Sequence, residues 1–256
     1  MIVTKGVIRS AAALAAKSSR SRWLSPLSAS PKIEETKDLL RRAQAVCFDV
    51  DSTVIQDEGI DVLAEFNGAG EAVAELTRQA MSGSVKFEDA LAARLKLINP
   101  SRDDLKRCLA AHPPRLTEGV KELVETLHAK GVAVYLVSGG FRQMINPVAA
   151  LLKVPTHRIF ANNLLFKEDG SFDKFDENEP TSRDGGKPAV IQALKDSHGY
   201  SPIIMVGDGA TDLQARPPAD AFVGFGGIVV REKVAAGADW FVRDFRDLIR
   251  ALKPGP

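Results

Sequence analysis

Beyond residue 33 the chain alternates short apolar runs with amphipathic stretches. The runs are AVCFDV (45–50), VAVYLVS (132–138), PIIMVGD (202–208), ADAFVGF (219–225) and a weaker ADWFV (238–242). Each is bounded by Gly, Asp or Ser, the pattern of a strand buried on both faces. Helical spacing of apolar positions follows in EGVKELVETLHAKG (118–131), FRQMINPVAALL (141–152), KPAVIQALKDSHG (187–199) and DFRDLIRALK (244–253). Strand then helix, repeated, predicts an α/β fold with a doubly wound, mostly parallel sheet.

Residues 57–114 break this rhythm with four amphipathic helical patterns and no strand: GIDVLAEFNG, GEAVAELTRQAM, FEDALAARLKLI and SRDDLKRCLAAH, closed by Pro113 and Pro114. Placed directly after the first strand, the block predicts an α-helical cap inserted into the α/β core. The expected division is a core of 33–56 and 115–256 with a cap of 57–114. RIFANNLLFKEDGSFDKFDE (158–177) predicts a β-hairpin turning at Asp169-Gly170, and the acidic run from Asp173 to Glu179 a solvated surface. The chain has no internal repeat.

Composition narrows the function classes. Of 256 residues, 45% are hydrophobic and 26% charged, enough to fill the core of one large domain carrying a smaller insert. No apolar run approaches the roughly 18 residues that cross a bilayer, which excludes a membrane transporter. Formal net charge is +1, but residues 1–32 hold six Lys/Arg and no acid, leaving 28 basic against 33 acidic residues elsewhere. A body of that sign has no basic footprint for nucleic acid, so none is expected as a partner. Cys47 and Cys108 form no C-x-x-C pair and are expected to be buried apolar fillers. The four histidines are too scattered for a zinc centre. The basic, Ser- and Ala-rich segment 1–32 has the composition of a transit peptide, with the plastid stroma as the expected destination and the mitochondrion as the second choice.

Candidate chemistry lies at the ends of the apolar runs. Asp49 and Asp51 follow the first, at the carboxyl end of a strand, where ligands bind in open α/β sheets. Two acids so close repel and bear a desolvation cost, which a divalent metal relieves. The third run closes on Gly207-Asp208-Gly209-Ala210-Thr211-Asp212, adding two more acids. Asp208-Gly209 alone reads equally as a turn. Four carboxylates without His or Cys form a hard oxygen set suited to Mg²⁺. Val137-Ser138-Gly139-Gly140 offers small residues, a hydroxyl and a helix start for a phosphate, although a plain strand-to-helix turn explains it as well. Lys187, after Asp184-Gly185-Gly186, can serve as a point cation.

In matching order, D-x-D-S-T after a strand, S-G-G after the next, a Lys after a Gly-rich loop and G-D-G-x-x-D after a later strand resemble the four motifs of the haloacid dehalogenase superfamily. FDVDSTVIQDEGID, AMSGSVKFEDALAARL, YLVSGGFR, FANNL, DGGK and IIMVGDGATDLQA are similar to its phosphoserine branch, over about Ala43 to Phe245. The resemblance implies a Rossmann-like core with a helical cap, and hydrolysis of O-phosphoserine as the last step of phosphorylated serine biosynthesis. It implies Asp49 as the nucleophile that forms an aspartyl-phosphate and Asp51 as the acid, later the base. One Mg²⁺ would be held by Asp49, Asp208 and the backbone carbonyl of Asp51, with Asp212 orienting the site. Ser138, Gly139, Gly140, Lys187 and Thr211 would hold phosphate. Glu58, Met81, Ser82, Phe87 and Arg94 would read the amino acid, Ser82 standing where relatives can carry Gly.

Other readings are a phosphotransferase or phosphatase for another small phosphomonoester, and a silent phospho-ligand binder, against which the intact acids and Lys187 stand. Receiver domains also phosphorylate an Asp but lack an inserted cap. The oligomeric state is left open, a homodimer among the options.

Overall fold

The structure is a computed structural model, described over residues 31–79 and 86–253. Of the expected transit segment 1–32, residues 1–30 lie outside the described residues, as do Met81 and Ser82.

Eight strands are present among the described residues: β1 (Ala45–Phe48), β2 (Ala133–Phe141), β3 (Ile159–Asn162), β4 (Leu164–Phe166), β5 (Phe172–Phe175), β6 (Ile203–Gly207), β7 (Ala221–Phe225) and β8 (Trp240–Val242). Six build one sheet in the order β3-β2-β1-β6-β7-β8, all parallel, and β4 and β5 form a separate hairpin. The helices are α1 (Pro31–Arg41), α2 (Gly59–Phe66), α3 (Gly70–Gln79), α4 (Phe87–Ile98), α5 (Arg102–Ala111), α6 (Val120–Ala129), α7 (Arg142–Leu151), α8 (Gly186–His198), α9 (Ala210–Gln214), α10 (Glu232–Gly237) and α11 (Phe245–Leu252).

The double-sided burial read from the apolar runs follows from strand period two. Val46 and Phe48 of β1, Val134 and Leu136 of β2, and Ile204 and Val206 of β6 face a core completed by Leu40 of α1, Leu123 and Leu127 of α6, Val148 of α7 and Leu248 of α11. Their neighbours Cys47, Tyr135 and Met205 face the opposite core, closed by Val190, Ile191 and Leu194 of α8 and Val234 of α10. Helices on both faces make the sheet doubly wound. Cys47 and Cys108 are both buried and free, as apolar fillers should be.

The inserted helices have a core of their own. Leu63, Leu91 and Leu95 are at most 1% exposed, each worth about 1.5–3 kcal/mol of burial. Leu164 of β4 and Phe175 of β5 join the same cluster, so the hairpin packs with α2–α5. At the start of α5, Ser101 Oγ accepts from Asp104 N at 3.0 Å and Asp104 Oδ2 accepts from Ser101 N at 3.0 Å, a capping box that fixes where the helix begins.

Three boundaries differ from the sequence reading. Ile159–Asn162 is not part of the hairpin but a sixth sheet strand beside β2; the chain bends at Asn163, and only Leu164–Phe166 pairs with β5. Helix α1 starts at Pro31, so a body beginning at residue 33 would cut its first turn, where Thr36 Oγ1 donates to Lys32 O at 2.8 Å. Strand β2 runs through Ser138, Gly139 and Gly140 to Phe141, which places those residues in extended backbone rather than in a turn.

Candidate active site

The strand order reverses direction between β1 and β6, and the carboxyl ends of neighbouring strands at such a switch point open a crevice. Asp49 stands just past β1, its N–H donating to Val206 O at 2.9 Å, and Asp208 just past β6. The chain then curls through 50–54, with Ser52 in the left-handed region at φ 51° and Ile55 N donating to Val50 O at 2.9 Å. The curl returns Thr53 to the sheet, where its hydroxyl donates to Asp208 Oδ1 at 2.9 Å.

Asp49 is clamped from two sides. Val50 N donates to its Oδ1 at 2.7 Å, and Lys187 Nζ lies 2.9 Å from Oδ2. Lys187, near the start of α8, is buried and also donates to Asp212 Oδ1 at 2.6 Å. Burial disfavours its charge, but Asp212 and Asp49 outweigh that and hold the ammonium protonated above the ordinary lysine range. Asp212, fully buried, accepts from Gly209 N at 2.9 Å through its other oxygen. A Cβ on Gly207 would come within 2.2 Å of the Asp212 carboxyl, which explains glycine before Asp208.

Asp51 turns away from this cluster. Its Oδ1 accepts from Gly59 N, at the start of α2, at 2.9 Å, and a Cβ on Gly140 would meet Oδ2 at 2.5 Å. The glycines of the S-G-G run therefore make room for side chains: for Asp51 at Gly140, and for Phe87 at Gly139, where a Cβ would lie 3.0 Å from the ring. Gly140 N–H is taken by Ser138 Oγ at 2.9 Å. Burial, then Glu58 and Asp49, push the Asp51 carboxyl well above the usual range, favouring a form able to give up a proton.

Asp49, Asp51, Glu58, Phe87, Arg94, Gly139, Gly140, Lys187, Asp208 and Thr211 border one cleft of about 190 Å³. Ser138 and Asp212, at 1% and 0% exposure, sit behind its wall. Glu58 accepts from Ser52 Oγ at 2.6 Å, while burial pushes its carboxyl up. Arg94 Nε donates to Ala90 O of its own helix at 3.1 Å, burial lowers its basicity, and Asp61 and Glu58 partly restore it.

Two residues given no role in the sequence reading complete the site. Arg231 Nε donates to Asp208 Oδ2 at 2.9 Å and a terminal nitrogen lies 3.7 Å from Glu58 Oε1. It reaches the cleft from the loop after β7, and no local spacing marks it. Fully buried Asn162 donates to Gly139 O at 2.7 Å and accepts from Thr181 Oγ1 at 3.0 Å, tying the S-G-G strand to the segment before α8. It stands within the quoted FANNL run, and only its place at the end of β3 shows what it binds.

Asp49, Asp208 and Asp212 each offer a carboxylate oxygen, all within 4.8 Å of one another. Asp212 thus brings a third carboxylate beside the two assigned to metal, while the Asp51 carboxylate points elsewhere. Asp49, Asp51, Glu58, Asp208 and Asp212 face Lys187, Arg94 and Arg231, an excess of two formal negative charges. Burial and Asp49 raise Asp208, and burial and Asp49 push Asp212 up to about 8, as expected where negative charge is undercompensated. A hard divalent cation fits both the charge and the oxygen donors.

A carboxylate held by a lysine at the switch point, beside a second carboxylate able to carry a proton, is a donor set suited to hydrolysis. The chain belongs to the haloacid dehalogenase-like hydrolase family, whose model matches residues 43–220. It is 57% identical over 221 residues to the chloroplastic phosphoserine phosphatase of Arabidopsis thaliana, covering 86% of this chain and 75% of that one. Among solved structures, a substrate-bound phosphoserine phosphatase complex superposes with a TM-score of 0.72 at 25% identity, covering 82% of this chain and 99% of that one. DsGPDH of Dunaliella salina matches with a TM-score of 0.74 at 39% identity over 86% of this chain, which spans only 37% of that longer chain.

Proposed function

We propose that the protein is a phosphoserine phosphatase, hydrolysing O-phospho-L-serine to L-serine and phosphate. The observation that carries the reading is a single cleft holding a lysine-clamped Asp49, an adjacent Asp51, and on its outer side both an acid, Glu58, and a guanidinium, Arg94. The first pair suits phosphoryl transfer; the second suits the ammonium and carboxylate of an amino acid.

In this reading the Asp49 carboxylate attacks phosphorus as the bond to the serine oxygen breaks, and Asp51 gives its proton to the departing oxygen. Asp51, now ionised, takes a proton from the water that attacks the aspartyl-phosphate, releasing phosphate and restoring both carboxyls. Lys187 neutralises the transferring oxygens while keeping Asp49 in place. Asp49, Asp208 and the Asp51 carbonyl would hold one Mg²⁺, with Asp212 beside them. When bound, the ion supplies positive charge to the phosphoryl oxygens. The same reading puts the enzyme at the last step of phosphorylated serine biosynthesis, in the plastid stroma, with the basic segment 1–32 carrying the leader.

Arg94→Ala tests the substrate. Loss of a desolvated charge pair costs about 2–5 kcal/mol, or about 30-fold to several thousand-fold in kcat/KM for phosphoserine. Activity on p-nitrophenyl phosphate, which has no carboxylate, should change far less. Equal losses on both would mean that Arg94 only supports α4.

A further inference from the structure

Behind the cleft lies a second cavity of about 300 Å³, larger than the cleft itself. Asp51 and Phe141 line both. Val62, Leu109, Phe141, Met144 and Ile145 form apolar walls, and the sides are the two chain segments joining α2–α5 to the sheet, 55–59 outgoing and 111–115 returning. Those connectors are bonded to each other. Ile55 bridges Leu116, Gln56 N donates to Arg115 O at 3.0 Å, Thr117 N donates to Val54 O at 2.9 Å, and Arg115 Nε donates to Asp57 Oδ2 at 3.1 Å.

We infer that this cavity is a regulatory site for a small uncharged aromatic molecule. Its size matches the lower end of small-molecule pockets, roughly 300–1,000 Å³, room for a bicyclic ring. Met144 offers a thioether against which an aromatic ring packs favourably. On the walls, Asp57 is paired with Arg115, and Asp51 Oδ1 accepts from Gly59 N. A charged ligand would lose its hydration against the apolar walls, whereas a neutral ring loses little. At the mouth, the His112 imidazole meets Phe66 edge-on, with ring centroids 6.1 Å apart, and remains available for one hydrogen bond to the ligand.

Occupancy acts on the reaction through what the two sites share. A ring wedged between the connectors fixes their separation and presses on Gly59, whose N–H orients Asp51. The substrate cleft lies beyond Asp51 and stays open, so kcat falls while KM does not change.

Indole is the probe, added to full-length protein carrying methyl-¹³C methionine. The Met144 methyl resonance, assigned by its disappearance in Met144→Leu, should shift saturably, while that of Met205, buried on the far face of the sheet, should not. Kcat for phosphoserine should fall severalfold at constant KM. Leu109→Trp fills the cavity and should abolish the shift, with kcat lowered at constant KM as indole lowers it in the parent protein and no longer responsive to indole; Val62→Phe, a smaller change, serves if the tryptophan variant does not fold. A Met144 signal unmoved by indole, a shift that survives the filled cavity, or inhibition that raises KM alone would overturn the proposal. The kinetic arm rests on the phosphatase reading, whereas the methionine arm does not, so the two fail separately.

Discussion

Loading the protein with Mg²⁺ at pH 7 should expel protons. The excess of two negative charges in the cleft leaves carboxyls that hold protons above their ordinary range, and burial and Asp49 push Asp212 up to about 8. Such a group, buried and sharing a proton-rich site with Lys187, holds on to a proton at a pH where an ordinary carboxyl has lost it. A divalent cation among carboxylate oxygens within 4.8 Å of one another removes the reason for that proton. Titration calorimetry in buffers of differing ionisation enthalpy gives the number directly, as the slope of observed heat against buffer enthalpy. The slope should show net proton release at pH 7, shrink by pH 9, and largely vanish in Asp212→Asn. The same group sets a stability trend: its folded pKa lies above the unfolded value of about 3.9, so its contribution is full below that pH and is lost as pH rises through about 8. Metal-free protein should therefore lose stability across this window. No proton release at pH 7, or equal release in Asp212→Asn, would refute the reasoning.

Gly140→Ala places a Cβ 2.5 Å from Asp51 Oδ2 and should evict the acid, lowering kcat by about 10²–10⁴ with Mg²⁺ affinity unchanged in calorimetry. A near-normal kcat would take Asp51 out of its role. At the opposite edge, Lys32 Nζ lies 2.9 Å from Asp239 Oδ1, whose other oxygen is met by Arg216. Because the Lys32 side chain is 53% exposed and screened, Lys32→Ala should cost only about 1 kcal/mol in denaturant unfolding. A chain starting at Ile33 should lose more than one starting at Pro31 by also cutting the first turn of α1; equal stability would contradict that anchoring.

The strands at the heart of the sheet were legible because burial on both faces leaves an unmistakable mark, an apolar run bounded by Asp or Gly, as in AVCFDV and PIIMVGD. The four inserted helices were legible because each keeps an apolar stripe. IFAN was hidden by continuity: one residue, Asn163, separates a sheet strand from a hairpin strand, and the sequence carries no turn signal there. Helix α1 was hidden because among its residues only Thr36 and Leu40 are buried. Asp49, Asp51, Asp208 and Lys187 announced themselves at strand ends and in a glycine loop. Arg231 did not, since a long charged side chain can enter a site from a loop with no periodic constraint. The glycines of S-G-G were legible as a requirement for closeness, but what approaches them, Asp51 and Phe87, comes from elements far away in sequence.

The central claim is that phosphate passes from serine to Asp49. Acid quenching during turnover of phosphoserine with Mg²⁺, followed by reductive trapping and peptide mass spectrometry, locates the transferred group. The account predicts the modification on Asp49 alone, with none in Asp49→Asn, which should also be inactive. A phosphoryl group found on Asp51, Asp208 or any other residue, or turnover that persists in Asp49→Asn, would contradict it.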